Sequence, residues 1–288
     1  MLARCVAYSK TGVERLKKKK AKGSLIGNIV LILAVAVFLF AAWQLVSAYM
    51  EYKKGTDEYD RLEKLVEIQT EEPQPGSSAV QATADPGESQ PETETSSSAE
   101  EAPRLQFTGD HSELKAINSD YAGWLFMNSE ISYPVVAADN NDYYLTHTFY
   151  GTKNKAGTLF LEAALPYGMQ SKNVIIYGHN LKNDKMFGTL MKYQEQSFYD
   201  EHRYFQIFTE SGTMTCEIFA AYTTTAVSDA YTYGFGSDEL FLEYIDTMKG
   251  WSVIDTGVTV EAGDQIVTLS TCTNVNDGRF VVQGKVIK

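Results

Sequence analysis

Cysteine is scarce in this chain, with Cys5, Cys216 and Cys272 the only three in 288 residues. So few cysteines exclude a disulfide-dense scaffold. Histidine is almost as rare: His111, His147, His179 and His202 are the four, and none stands in the His-x-x-x-His or His-x-His spacing of a metal site. There is likewise no Cys-x-x-Cys pair and no Gly-rich phosphate loop, so the residues call for neither a metal nor another cofactor. Positive charge is in deficit as well. With 25 Lys and Arg against 37 Asp and Glu the formal net charge is -12, which argues against nucleic acid as a partner, because phosphate contacts need a basic face. What remains is 44% hydrophobic and 12% aromatic, enough for one sizeable domain plus appendages.

The charge is unevenly distributed. Arg4 to Lys22 carries eight basic residues against the single acid Glu14, and Gly23 to Met50 then contains no charged side chain. The apolar run in that span exceeds the roughly 20 residues a helix needs to cross a bilayer. A cleaved signal peptide is the rival, but its apolar region normally spans only about 7–15 residues. The chain therefore reads as a basic cytoplasmic tail (1–22) and an uncleaved transmembrane anchor (23–50), with everything beyond on the outside by the positive-inside rule. Only Cys216 and Cys272 then share a compartment, as one disulfide or as two free thiols.

After the anchor, Tyr52, Tyr59, Leu62, Leu65 and Val66 among charges suggest a helix leading away from the membrane surface. The stretch that follows is rich in Pro, Ser, Thr and Glu and too poor in apolar groups to offset its ordering entropy, so 51–104 reads as a juxtamembrane helix and a disordered acidic stalk. The globular domain is expected to span 105–288. It opens with a helical stretch capped at Ser112. Short β-rich runs follow, among them ISYPVVAA, NVIIYG, TMTCEIFAAYTT, DQIVTLSTC and RFVVQGKVI, separated by turn signals as in a sandwich or barrel. Two helical insertions interrupt them, DKMFGTLMKYQEQSFYDEH and SDELFLEYIDTMKG, the second starting at Ser237 and stopping at Gly250.

Cys272 ends a β-prone run and faces a polar turn, and His179 ends a similar apolar run. A thiol at a strand end is held by a rigid element yet open to substrate. Its ordinary pKa near 8.5 leaves only a few per cent thiolate at neutral pH, so a cationic neighbour is needed, and an imidazole also delivers a proton to an amine leaving group. Arg279 opens the last strand a short turn away, and its planar, permanently charged fork suits a developing oxyanion. Singly, each has a plain alternative: a buried small hydrophobe, a core or surface histidine, a solvated turn charge.

TLSTC at Thr268–Cys272 with Arg279 beyond it resembles the sortase signature TLxTC…R, and VIIYGHN at Val174–Asn180 resembles the sortase histidine segment. DYAGWL at Asp120–Leu125, ISYPVV at Ile131–Val136, NDYYL at Asn141–Leu145 and the SDELFLEYIDTMK insertion look like class B members of that family. The resemblance implies a closed β-barrel of about eight strands with an N-terminal helical element, preceded by the transmembrane helix. It also implies acyl transfer with Cys272 as nucleophile, His179 as acid/base and Arg279 at the oxyanion, with Asn141, Leu145, Ser270 and Thr271 along the substrate groove. The implied partners are secreted proteins bearing an Asn-Pro-x-Thr-x-like sorting motif and an amine of peptidoglycan or its lipid-linked precursor, in a Gram-positive envelope. Two alternatives stay open: a thiol peptidase or hydrolase in which water resolves the thioester, and a non-catalytic cell-surface binding module braced by a Cys216–Cys272 disulfide. Asp277, close to Arg279, either orients the guanidinium or weakens it.

Overall fold

The computed structural model describes residues 11–70, 102–128, 130–181, 184–273 and 277–287, with backbone only at 11–25, 52 and 70. Two compact units divide the chain, one ending at Lys54 and the other starting at Gly55. In the first, helix α1 (Thr11–Glu63) begins. From Ile26 it is long and apolar enough to cross a membrane, and side chains such as Leu33, Phe38 and Leu45 are exposed along it. Cys5 and the Pro/Ser/Thr/Glu-rich stretch 71–101 lie outside the described residues.

The second unit is built on an eight-stranded closed barrel. Ahead of the barrel come β1 (Ile68–Thr70) and β2 (Leu105–Phe107), which pair antiparallel with Ile68 opposite Phe107. Helix α2 (His111–Ile117) follows. Its cap is Asp110 rather than the expected Ser112, because the Asp110 carboxylate accepts from the backbone N–H groups of Ser112 (2.7 Å) and Glu113 (3.3 Å). The barrel strands are β3 (Tyr121–Met127), β4 (Ile131–Val136), β5 (Leu159–Leu161), β6 (Asn173–Gly178), β7 (Tyr204–Thr209), β8 (Gly212–Thr225), β9 (Ile266–Cys272) and β10 (Gly278–Ile287). Their order is β10-β8-β7-β3-β4-β5-β6-β9, closing on itself. Only β4–β5 and β6–β9 pair in parallel, each needing a long crossover.

The first expected helical insertion is mostly a 3-10 turn (Gly188–Gln194), followed by the short helix α3 (Gln196–Glu201). The second is helix α4 (Asp238–Trp251), which passes Gly250 by one residue. Ser237 caps α4 through the backbone N–H of Leu240, and Phe241, Tyr244, Ile245 and Met248 form its buried stripe at helical spacing. That stripe covers Phe219, Ile266 and Val281 on the outer face of the barrel. Val174, Ile176, Val267, Leu269, Phe280 and Val282 belong to the main core.

The end of α1 belongs to this unit. Tyr59, Leu62 and Val66 are buried in the main core, and Leu62 is fully enclosed. The compact unit thus begins about fifty residues ahead of Leu105, and residues 71–101 connect two paired strands, β1 and β2.

Candidate active site

Alternation along β9 decides where its terminal cysteine points. Val267 and Leu269 enter the main core, so Thr268, Ser270 and Cys272 take the other face. Cys272 ends the strand exposed. The backbone N–H of Thr273 donates to the Gly278 carbonyl (2.9 Å), which makes Cys272 and Arg279 the next pair along the ladder. Such a pair is not hydrogen-bonded, and its Cα atoms lie about 4.5 Å apart with both side chains on one face. The turn is tightened by Asp277 in the left-handed region (φ 58°), which aspartate tolerates, and the Asp277 carbonyl accepts from the backbone N–H of Ala226 (2.9 Å). The Arg279 guanidinium donates to the Gly278 carbonyl at 3.0 Å.

His179 arrives from the adjacent parallel strand. Gly178 of β6 pairs with Thr271 of β9, so the next residue on each strand is His179 or Cys272. The Nε2 of His179 lies 2.7 Å from the Leu145 carbonyl. A carbonyl only accepts, so Nε2 carries the proton and Nδ1 is left for acid/base work. Asn180 reaches across to donate from Nδ2 to the Cys272 carbonyl (2.9 Å), tying the histidine segment to the backbone of the cysteine.

These residues open on a cleft of about 250 Å³. All seven residues named from the sequence line it: Asn141, Leu145, His179, Ser270, Thr271, Cys272 and Arg279. A larger cleft of about 370 Å³ near Pro103, Phe126 and His202 contains no thiol, so chemistry rather than size singles out the smaller one. Two tyrosines complete the walls without having been named from the sequence. Tyr177 donates to Glu162 (2.9 Å), whose other carboxylate oxygen takes the Asn141 amide N–H (2.8 Å). Burial, and then the Glu162 charge, push the Tyr177 phenol far above its ordinary range, so it stays a neutral donor. Tyr231 shares a 2.9 Å hydrogen bond with Ser270, and burial raises its phenol as well. The Tyr177 position is visible in the VIIYGHN string, whereas Tyr231 sits in a 3-10 turn (Asp229–Tyr231) that carries no periodic signal. The Thr271 hydroxyl is buried beside the cleft with no hydrogen-bond partner among the described residues.

Cys216 is no part of this site. It is fully buried, opposite Phe205 and Val286, and burial drives its thiol far above the ordinary range. Both thiols are free. Cys216 pairs with Val286 and Cys272 with Arg279, seven residues apart along β10, a separation of roughly 23 Å at strand rise that no disulfide spans. The disulfide-braced alternative is therefore overturned.

A thiol, an imidazole with one free nitrogen and a guanidinium converge here on rigid strand ends, the groups an acyl transfer through a thioester requires. The family model described as a Sortase domain matches residues 128–287. A curated relative named Sortase B from Listeria monocytogenes is 37% identical over 179 residues, covering 61% of this chain and 73% of that protein. Among solved structures, the Staphylococcus aureus sortase B–substrate complex superposes with a TM-score of 0.58 at 31% identity, covering 62% of this chain and 84% of that one. The sortase B structure complexed with triglycine does so with a TM-score of 0.59 at 31% identity, covering 62% and 85%.

Proposed function

The chain belongs to the sortase family, class B, and is a sortase-type cysteine transpeptidase, and from that premise we propose a mechanism and a setting for it. Cys272 is the nucleophile, His179 the acid/base and Arg279 the oxyanion partner. The observation that carries this assignment is the single cleft in which a cross-strand Cys272–Arg279 pair meets His179 from the neighbouring strand.

The Cys272 thiolate attacks the threonine carbonyl of a sorting motif in a secreted protein, and the carbonyl oxygen takes up the negative charge. Arg279 stabilises that oxyanion with a planar fork of N–H donors. As the tetrahedral centre collapses, the C–N bond breaks and His179 gives its Nδ1 proton to the leaving amine, leaving a thioester on Cys272. An incoming amine then attacks the thioester, His179 takes its proton, and the new amide leaves as the thiolate is restored. Proton and charge balance over the cycle.

The acyl donor is a peptide of the Asn-Pro-x-Thr-x kind, and the acceptor is an amine of peptidoglycan or its lipid-linked precursor. Likeness to sortase B structures described with a substrate and with triglycine supports an extended peptide donor and an amine acceptor. The apolar helix from Ile26, preceded by basic residues, supports a single-pass anchor with the catalytic unit outside the cell. The domain plan proposed is a basic tail (1–22), an anchor (23–50), a connecting segment (51–104) and the catalytic domain (105–288), extended at its N-terminal side by the docked end of α1.

Purified full-length chain is incubated with an Asn-Pro-x-Thr-x peptide, with and without triglycine, and analysed by mass spectrometry. A ligated product and an acyl adduct on Cys272 are expected. Turnover that is independent of amine and yields only hydrolysed peptide would instead establish the peptidase alternative.

A further inference from the structure

The end of α1 reaches the histidine of the cleft through one glycine. Tyr59 is buried, packs edge-on against Tyr133 (5.4 Å between centroids, 89°) and donates its hydroxyl to the Gly157 carbonyl at 2.5 Å. The same hydroxyl lies 3.0 Å from Thr158 Oγ1. Gly157 holds a left-handed conformation (φ +61°) against the ring. A Cβ there would stand 3.0 Å from His179 Cδ2, 3.1 Å from the Leu145 carbonyl and 2.5 Å from the Tyr144 carbonyl. Thr158 continues the clamp, its backbone N–H donating to the Tyr144 carbonyl (3.0 Å) and its hydroxyl to that of His147 (2.9 Å). One residue before Tyr59, Glu58 accepts from the Thr148 hydroxyl at 2.5 Å.

We propose that Tyr59 is a positioning residue of the active site, and that the end of α1 is a working part of the catalytic unit instead of a spacer leading away from the membrane. The imidazole is held on two sides. Its Nε2 proton is fixed by the Leu145 carbonyl, and its Cδ2 edge lies so close to Gly157 that a side chain there would crowd it. Both supports belong to the segment that Tyr59 pins from behind. Burial keeps the Tyr59 phenol neutral at any pH the enzyme meets, so the donor is always available. The proposal rests on His179 being the acid/base group.

Tyr59→Phe in the full-length chain keeps the ring and its packing and deletes only the donor. Steady-state acyl transfer and the pH dependence of Cys272 alkylation by iodoacetamide are measured in both chains, each carrying Cys5→Ser. A loosened ring lowers kcat by about tenfold at unchanged KM, since misplacement by a fraction of an ångström costs rate rather than binding. It also displaces the alkylation midpoint from that of the parent, as the imidazole beside the thiol is held less well. An unchanged midpoint, kcat within about twofold of the parent, or a loss confined to KM or Tm overturns the proposal. If the parent transfers no acyl group, transpeptidation fails as a reading, and the midpoint alone decides for or against Tyr59.

Discussion

Arg279 stands directly opposite Cys272 in the β9–β10 ladder, at a pair bridged by no backbone hydrogen bonds. The relationship links sequence to chemistry through one turn. TLSTC supplies the strand that ends at the thiol, Asp277 supplies the left-handed residue that turns the chain, and the returning strand presents its first long side chain to the cysteine. Because β-pairing fixes both Cα positions, the two side chains leave the ladder side by side on one face.

Arg279→Lys tests whether the fork itself matters. The charge is retained, but a single ammonium cannot offer two parallel donors. We expect kcat/KM for acyl transfer to fall by about 10²–10³-fold with Tm almost unchanged, as for loss of an oxyanion donor. Activity within a few-fold of the parent would show that charge alone suffices.

Gly157→Ala attacks the support of His179 from the other side. The new methyl group meets the Tyr144 carbonyl at 2.5 Å in a backbone conformation (φ +61°) that L residues rarely adopt. The segment must shift, carrying the Leu145 carbonyl and the Cδ2 contact with it. The expected result is a Tm loss together with a fall in kcat larger than the folded fraction explains, read by comparing activity per folded molecule. Normal kcat in the folded fraction counts against the contact.

The β-barrel was legible in local patterns, above all the alternation in β9 and β10, and the ends of β6 and β9 in the polar residues that close their apolar runs at His179 and Cys272; no local pattern joins those two to Arg279, which only the resemblance to the TLxTC…R signature does. The role of Tyr59, Leu62 and Val66 was not legible. Their spacing marks an amphipathic helix, but nothing local says which surface covers its apolar stripe, and the acidic stretch after Thr70 reads as a linker unless the pairing of β1 with β2 is known. Tyr231 carries no local signal for a similar reason, since a 3-10 turn of three residues has no period. The cap at Asp110 instead of Ser112 shows competition between neighbouring cap formers, which sequence resolves only to within a residue or two.

Stability should respond to acid through Asp264. Burial alone would raise its carboxyl pKa. The backbone N–H of Glu261 (2.7 Å) and the Lys285 ammonium (3.0 Å) outweigh that and hold the carboxyl below its ordinary value. A pKa depressed in the folded state contributes stability that is present above the unfolded value, near 3.9, and is lost as pH falls through the folded value. Asp264→Asn should therefore lower Tm by about 2–4 °C at pH 7 and by progressively less below about pH 4. A difference that stays constant across that range would show that the charge is not what Asp264 contributes.

The two thiols of the catalytic unit should differ by orders of magnitude in reactivity. Cys272 is the exposed last residue of the otherwise buried β9, opposite Arg279, whereas Cys216 is enclosed between β7 and β10, with the Phe205 ring and the Gly284 backbone against it. Thiolate is the reactive form, and burial suppresses it at Cys216 on top of blocking access. In a chain carrying Cys5→Ser, a disulfide-exchange reagent at pH 8 should titrate one thiol within minutes and a second only after unfolding. Acyl transfer should disappear in step with the first. Cys216→Ala should leave kcat within about twofold of the parent while lowering Tm, because it removes one buried sulfur from a packed core. Two fast thiols would mean that β8 opens readily, and none would mean that Cys272 is not the accessible nucleophile its place at the strand end implies.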